Sequence, residues 1–235
     1  MSVQRWSALG VGLCAALVLV SGCKDGGGIG GIGAPATTAA SGANQGGSGG
    51  GNASGGFDCQ VATVSMCLMP KPDNVTKPAG QWGTDGAISR SDYIDLFSEG
   101  DDEKARENSK LTAANLVSAG YEHWQNAHGT QAEIALTSFA STSGATQWID
   151  YTNGLFGDSD GYQKQSSLVP GTYTFQATSA NDDGSWTSLA IGRFGKVVME
   201  FYIFAKSKTD AVAQNNLASW AAVQVGVLKR AATSS

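Results

Sequence analysis

The run SWTSLAIGRFGKVVMEFYIFA, residues 185–205, decides the fold. Ser185 to Gly192 reaches a turn at Arg193-Phe194-Gly195 and returns as a strand from Lys196 to Ala205. Along that strand Val197, Met199, Phe201 and Ile203 share one face. Val198, Glu200, Tyr202 and Phe204 share the other, which is the period of two expected of β-structure. Phe204-Ala205-Lys206 then leads into a long helix, Thr209 to Arg230, with Ala213, Leu217, Trp220 and Leu228 on one face. One more strand, Thr172 to Thr178, precedes the hairpin.

A similar unit lies upstream. Tyr121 to Gln125 passes through a turn at 126–130 into the strand Gln131 to Phe139, where Ala132, Ile134 and Leu136 alternate with Glu133, Ala135 and Thr137. A helix follows near Gly144 to Asp150, and Trp124 and Trp186 stand ahead of the two turns in matching places. Two strand-turn-strand-helix units predict an α+β fold: an antiparallel sheet with helices packed on one face. Ahead of the first unit, Ser91 is the expected N-cap of a short helix, Tyr93 to Glu99, stopped by Gly100. Asp101 to Gly120 reads as a second helix. Asp101, Asp102 and Glu103 suit its positive N-terminus, and Leu111, Ala114, Leu116 and Val117 form its buried stripe. Pro70, Pro72, Pro78 and Gly80 mark an irregular entry segment.

The chain's beginning is of another kind. Arg5 precedes an apolar stretch from Ala8 to Val20 that is short of the roughly 20 residues a spanning helix needs, and the pattern is that of an export signal. Its end, Val20-Ser21-Gly22-Cys23, resembles a bacterial lipobox. The resemblance implies cleavage before Cys23, a diacylglyceryl thioether on its sulfur, and acyl chains such as palmitate that hold the protein to a membrane. From Gly26 to Gly56 the chain is mostly Gly, Ala, Ser, Thr and Asn, with no charged or aromatic residue, and reads as a flexible stalk reaching roughly 30 Å. The expected organisation is therefore a signal peptide at 1–22, an anchored linker at 23–56 and an extracytoplasmic domain at 57–235. That places the protein at the cell membrane, lipid-anchored, on its outer face.

Composition narrows the partners. A formal charge of −5 with acids and bases interspersed gives no basic patch, which argues against nucleic acid. Of four cysteines, Cys14 leaves with the signal and Cys23 takes lipid, so Cys59 and Cys67 are available to each other as a disulfide in an oxidising compartment. A bridge needs Cα atoms about 5.5 Å apart, so the segment between them must fold back as a loop.

No constellation of catalytic type stands up. Gly157-Asp158-Ser159-Asp160-Gly161 matches the G-x-S-x-G pattern, but the expected context of strand before and helix after is missing, and both histidines precede the serine. Asp158 and Asp160 lack the further oxygen ligands of a calcium loop. His123 and His128 flank Trp124 without a cysteine or well-placed carboxylate to complete a metal set. The acids from Glu99 to Glu103 read as a solvated helix start rather than a paired-carboxylate cleft. Most tryptophans fall on different elements and belong to the core. Trp82, in a Gly-rich loop, is the candidate for an exposed ligand-binding side chain.

Gly120-Tyr121, Trp124, Gly129, Phe139-Ala140-Ser141 and Gly144-Ala145, with the later run Ala190 to Val198, resemble uncharacterised secreted lipoproteins of actinobacteria. The resemblance implies an extracytoplasmic α+β domain and carries no catalytic residues with it. The function expected is that of a cell-envelope lipoprotein, not an enzyme and without cofactor or metal, that binds a ligand or protein partner. The alternative is an envelope enzyme acting on wall polymer.

Overall fold

Seven antiparallel strands form one sheet at the centre of the computed structural model, which describes residues 61–78, 85–157, 159, 161–208 and 211–233. The strands are β1 (Gly86–Ile88), β2 (Leu116–Gln125), β3 (Gln131–Phe139), β4 (Tyr162–Gln165), β5 (Thr172–Ala177), β6 (Trp186–Phe194) and β7 (Val197–Ala205). Their order across the sheet is β1-β2-β3-β7-β6-β5-β4. The helices are α1 (Arg90–Phe97), α2 (Gly100–Ala113), α3 (Thr142–Gly157) and α4 (Ala211–Thr233), preceded by a kinked 3₁₀ segment at Val61–Cys67.

The α+β class and the antiparallel sheet are as the sequence predicts, and both hairpins fall where it places them. In the β6–β7 hairpin Phe194 pairs with Val197, so only Gly195 and Lys196 turn the chain. Gly195 holds the positive φ of +60° that two-residue hairpins ask of their first loop position. In the β2–β3 hairpin Asn126 organises the longer loop, its side-chain oxygen accepting from the backbone N–H of His128 and Thr130. The two units meet at the middle of the sheet, where β3 pairs with β7 from Gln131↔Phe204 to Ser138↔Val197.

The placement of the helices departs from expectation. They cover both faces of the sheet, not one. Ala119, Tyr121, Ala135, Val198 and Tyr202 pack against α1, α2 and α3, whereas Ile134, Leu136, Met199, Phe201 and Ile203 pack against α4 and the 3₁₀ segment. The physical reason lies in β3 and β7, whose buried residues are largely apolar on both sides. A strand of that kind needs a cover on each face.

Three local corrections follow. The first helix is capped by Ser89, whose Oγ accepts from the Asp92 N–H while Asp92 accepts from the Ser89 N–H, a reciprocal capping box. The second helix ends at Ala113 rather than Gly120. Asn115 adopts φ +55°, and Leu116 and Val117 belong to β2. The third runs on to Gly157, well past Asp150. The short strands β1 and β4 are additions at the sheet edges.

Close packing fixes the layers. A Cβ on Gly144 of α3 would lie 2.1 Å from the Ala114 carbonyl oxygen, so only glycine lets α3 cross the end of α2 this closely. On the other face, Gln224 of α4 clamps the 3₁₀ segment. Its Oε1 accepts from the Met69 N–H and its Nε2 donates to the Cys67 carbonyl, both at 2.7 Å.

Candidate functional site

The polar content of the core is concentrated on the α1–α3 side of the three central strands. Register places His123 of β2, Glu133 of β3 and Tyr202 of β7 on one rung, and Tyr121, Ala135 and Glu200 on the next. Apart from the alanine, all of these carry polar side-chain groups in a layer that is otherwise aromatic and aliphatic.

Glu200 is 1% exposed and collects three donors from three elements. The Tyr93 hydroxyl of α1 donates to Oε1 at 2.8 Å, the Trp148 indole N–H of α3 to the same oxygen at 3.2 Å, and the Tyr202 hydroxyl to Oε2 at 2.5 Å. Hydrogen bonding of this kind makes burial of the group tolerable. The carboxyl ties α1, α3 and β7 together.

Glu133 is equally buried and differently supplied. Burial pushes its carboxyl up to about 8, against a smaller lowering from the Tyr121 hydroxyl beside it, so it holds its proton at neutral pH. Neither that hydroxyl nor Glu133 Oε1 completes an aligned hydrogen bond. Tyr121 is itself pushed well above the usual tyrosine range, first by burial and then by the neighbouring Glu133 and Asp85. His123, stacked on Tyr121 with ring centroids 6.2 Å apart, is lowered to about 4 by burial, partly offset by Asp85. At neutral pH both members of the His123–Glu133 pair are therefore uncharged.

The row reaches toward solvent at one end. Asp85 accepts the His123 backbone N–H, and Lys71 bonds both to Asp85, at 2.7 Å, and to the His123 carbonyl. Lys71 and Asp85 are each about one third exposed. Glu122, on the opposite face of β2 and half-buried, is raised to about 7, chiefly by burial, with Lys71 pulling it back down. Chemically the row offers one neutral acid, one neutral imidazole and a well-satisfied carboxyl, all enclosed.

Of the residues singled out from sequence, His123 belongs to this row and the others fall elsewhere. Cys23, Cys59 and Trp82 lie outside the described residues, as do Asp158 and Asp160, and the expected Cys59–Cys67 bridge falls there with Cys59. Cys67 is buried against the α4 side. Ser159 follows a helix and precedes β4, the reverse of a nucleophile elbow. His123 is buried in β2 while His128 is exposed in the hairpin loop, so the two are not brought together. Glu103 folds back to accept the Glu99 N–H at 2.8 Å, the helix-start role expected of that acidic run, and Glu99 is raised by burial and by Glu103 and Asp182. Trp124 and Trp148 are fully buried, on opposite faces of the sheet. Among the described residues no group of three or more His, Cys, Asp and Glu is arranged to hold a metal ion.

Glu133 and Glu200 escaped the sequence reading. Their signal was present: each is an acid in a central strand whose neighbours are almost all apolar.

No family model and no curated protein sequence matches the chain. Among solved structures, the extracellular domain of PknH from Mycobacterium tuberculosis is similar over 52% of this chain and 70% of that one. The TM-score is 0.40 and the identity 13%. A likeness that distant carries no function. No helix among the described residues is long and apolar enough to cross a membrane.

Proposed function

We propose that the chain is a cell-envelope lipoprotein whose α+β domain binds a ligand or protein partner outside the membrane and performs no catalysis of its own. The observation that carries this reading is Val20-Ser21-Gly22-Cys23 at the end of a short apolar run, followed by an uncharged Gly-rich stalk. A thiol at that one position, with small residues ahead of it, is what lipid attachment and cleavage require. Two or three acyl chains then supply lasting membrane attachment, at about 0.8 kcal/mol per buried methylene. Glu200 fits the reading too, because it is engaged in holding three elements together. The membrane is then one partner, through Cys23, and the envelope ligand or protein the other.

The test is Cys23→Ser with fractionation of the producing cells. Release of a folded domain from the membrane fraction supports the anchor. Retention at high salt overturns it. Native mass spectrometry of protein taken gently from its own membranes addresses the second half. A discrete added mass supports binding, and turnover of isolated wall polymer by the purified chain overturns the non-enzymatic reading.

A further inference from the structure

Glu133 stands between two tyrosines. Its cross-strand partner in β7 is Tyr202 and its hydroxyl neighbour in β2 is Tyr121. The Phe97 ring of α1 rests on both, with centroids 5.8 Å from Tyr202 and 6.2 Å from Tyr121. The enclosed carboxyl has Oε1 without a hydrogen-bond partner. The titratable groups of this layer include Tyr121 and His123 from β2, Tyr202 and Glu200 from β7, Tyr93 from α1, Glu107 from α2, Tyr151 from α3 and Tyr162 from β4, with Asp85 and Lys71 at the outer end of the row. Trp148 is the buried polar ring of α3. Among the described residues no Lys or Arg is buried, and Lys71 is committed to Asp85. A carboxylate formed at Glu133 therefore meets rings, hydroxyls and other acids. It must keep its proton or be reached by water.

α1 is the element placed to admit that water. It has eight residues, too few to hold a helix without packing. Its inward ties include the buried side chains of Tyr93, Ile94 and Phe97 and the Tyr93–Glu200 bond. Its outward ties, Arg90 to Thr112 and Asp95 to Lys104 of α2, are exposed and individually weak.

We propose that α1 is a lid over the His123–Glu133 rung, latched shut by a single proton on Glu133. Opening hydrates the carboxyl and passes its proton to bulk water; no other bond is made or broken. The closed-state value of about 8 stands above the ordinary 4.5, so opening releases a proton across that interval. The opening constant therefore rises tenfold per pH unit there. His123 acts in the other sense. It is held near 4 when closed against an ordinary 6.5, so uncovering it takes up a proton below 6.5. The two effects cancel between about 4.5 and 6.5, which leaves an alkaline limb from about 6.5 to 8.

Hydrogen exchange on the full chain reads this directly once rates are corrected for chemical exchange. Protection of the α1 amides from Tyr93 to Ser98 is expected to be level up to about pH 6.5, then to fall tenfold per unit to about pH 8. Amides of α4 between Leu217 and Leu228 are expected to keep their protection. Glu133→Gln, neutral at every pH, is expected to lose the alkaline limb. A limb that persists in Glu133→Gln overturns the proposal, and so does a parallel loss in α1 and α4, which would be global loosening. Should that variant not fold, carbon-13 NMR of the wild-type Glu133 carboxyl decides. A midpoint near 8 supports the latch, and one near the ordinary 4.5 overturns it.

Discussion

Glu200 and Phe201 are consecutive in β7, and they enter cores of opposite character. The α1–α3 side is an aromatic layer threaded with acids, hydroxyls and an imidazole. The α4 side is built from Trp124, Ile134, Met199, Phe201 and Leu217, with Gln224 as its buried polar clamp. Apolar burial does not titrate, so the α4 side is held mainly by packing and the Gln224 clamp, with half-buried Glu122 at its margin. The other side depends on where protons sit. One sheet thus carries a cover that is mostly apolar and a cover threaded with buried titratable groups.

The largest test of that contrast is Phe201→Ala. It leaves a cavity on the α4 side and is expected to cost about 3–5 kcal/mol by urea denaturation. The cost should be the same at pH 6 and pH 8. A strongly pH-dependent cost would mean the two covers are not independent.

A sharper comparison exchanges like for like. Trp148 donates its indole N–H to Glu200, whereas the Trp124 N–H has no partner. Trp148→Phe is expected to cost about 1–3 kcal/mol more than volume loss alone, because it withdraws a donor from a buried acid. Trp124→Phe carries no such addition and should cost the volume loss alone. Equal losses would break the distinction. The smallest effect is Ser89→Ala, which removes the α1 cap. It is expected to cost about 1 kcal/mol, read as lower exchange protection in α1 before any change in α4.

Much of this architecture was legible because hairpins declare themselves locally. Gly195 and the alternation on either side of it place β6 and β7 almost to the residue. The boundary of α2 was not legible in the same way. Leu116 and Val117 continue the helical spacing of Leu111 and Ala114, and the stop comes from the left-handed backbone of Asn115. The two-sided cover was readable in principle from the apolar residues on both faces of β7. The short edges β1 and β4 have too few residues to show a period. The polar rung is a product of register. His123 and Glu133 are ten residues apart in sequence, and only the length of the β2–β3 loop sets them side by side.

The Gln224 clamp also bears on how the domain meets mechanical load. The chain arriving at Val61 is fastened within a few residues to the sheet, by the Val64 N–H on the Ser118 hydroxyl, and to α4 through Cys67 and Met69. A pull along that chain is shared at once between the sheet and its last helix. Peeling would have to begin by breaking attachments to partners more than fifty and more than one hundred and fifty residues away in sequence. Tension on this segment is therefore carried first by the α4 side of the sheet.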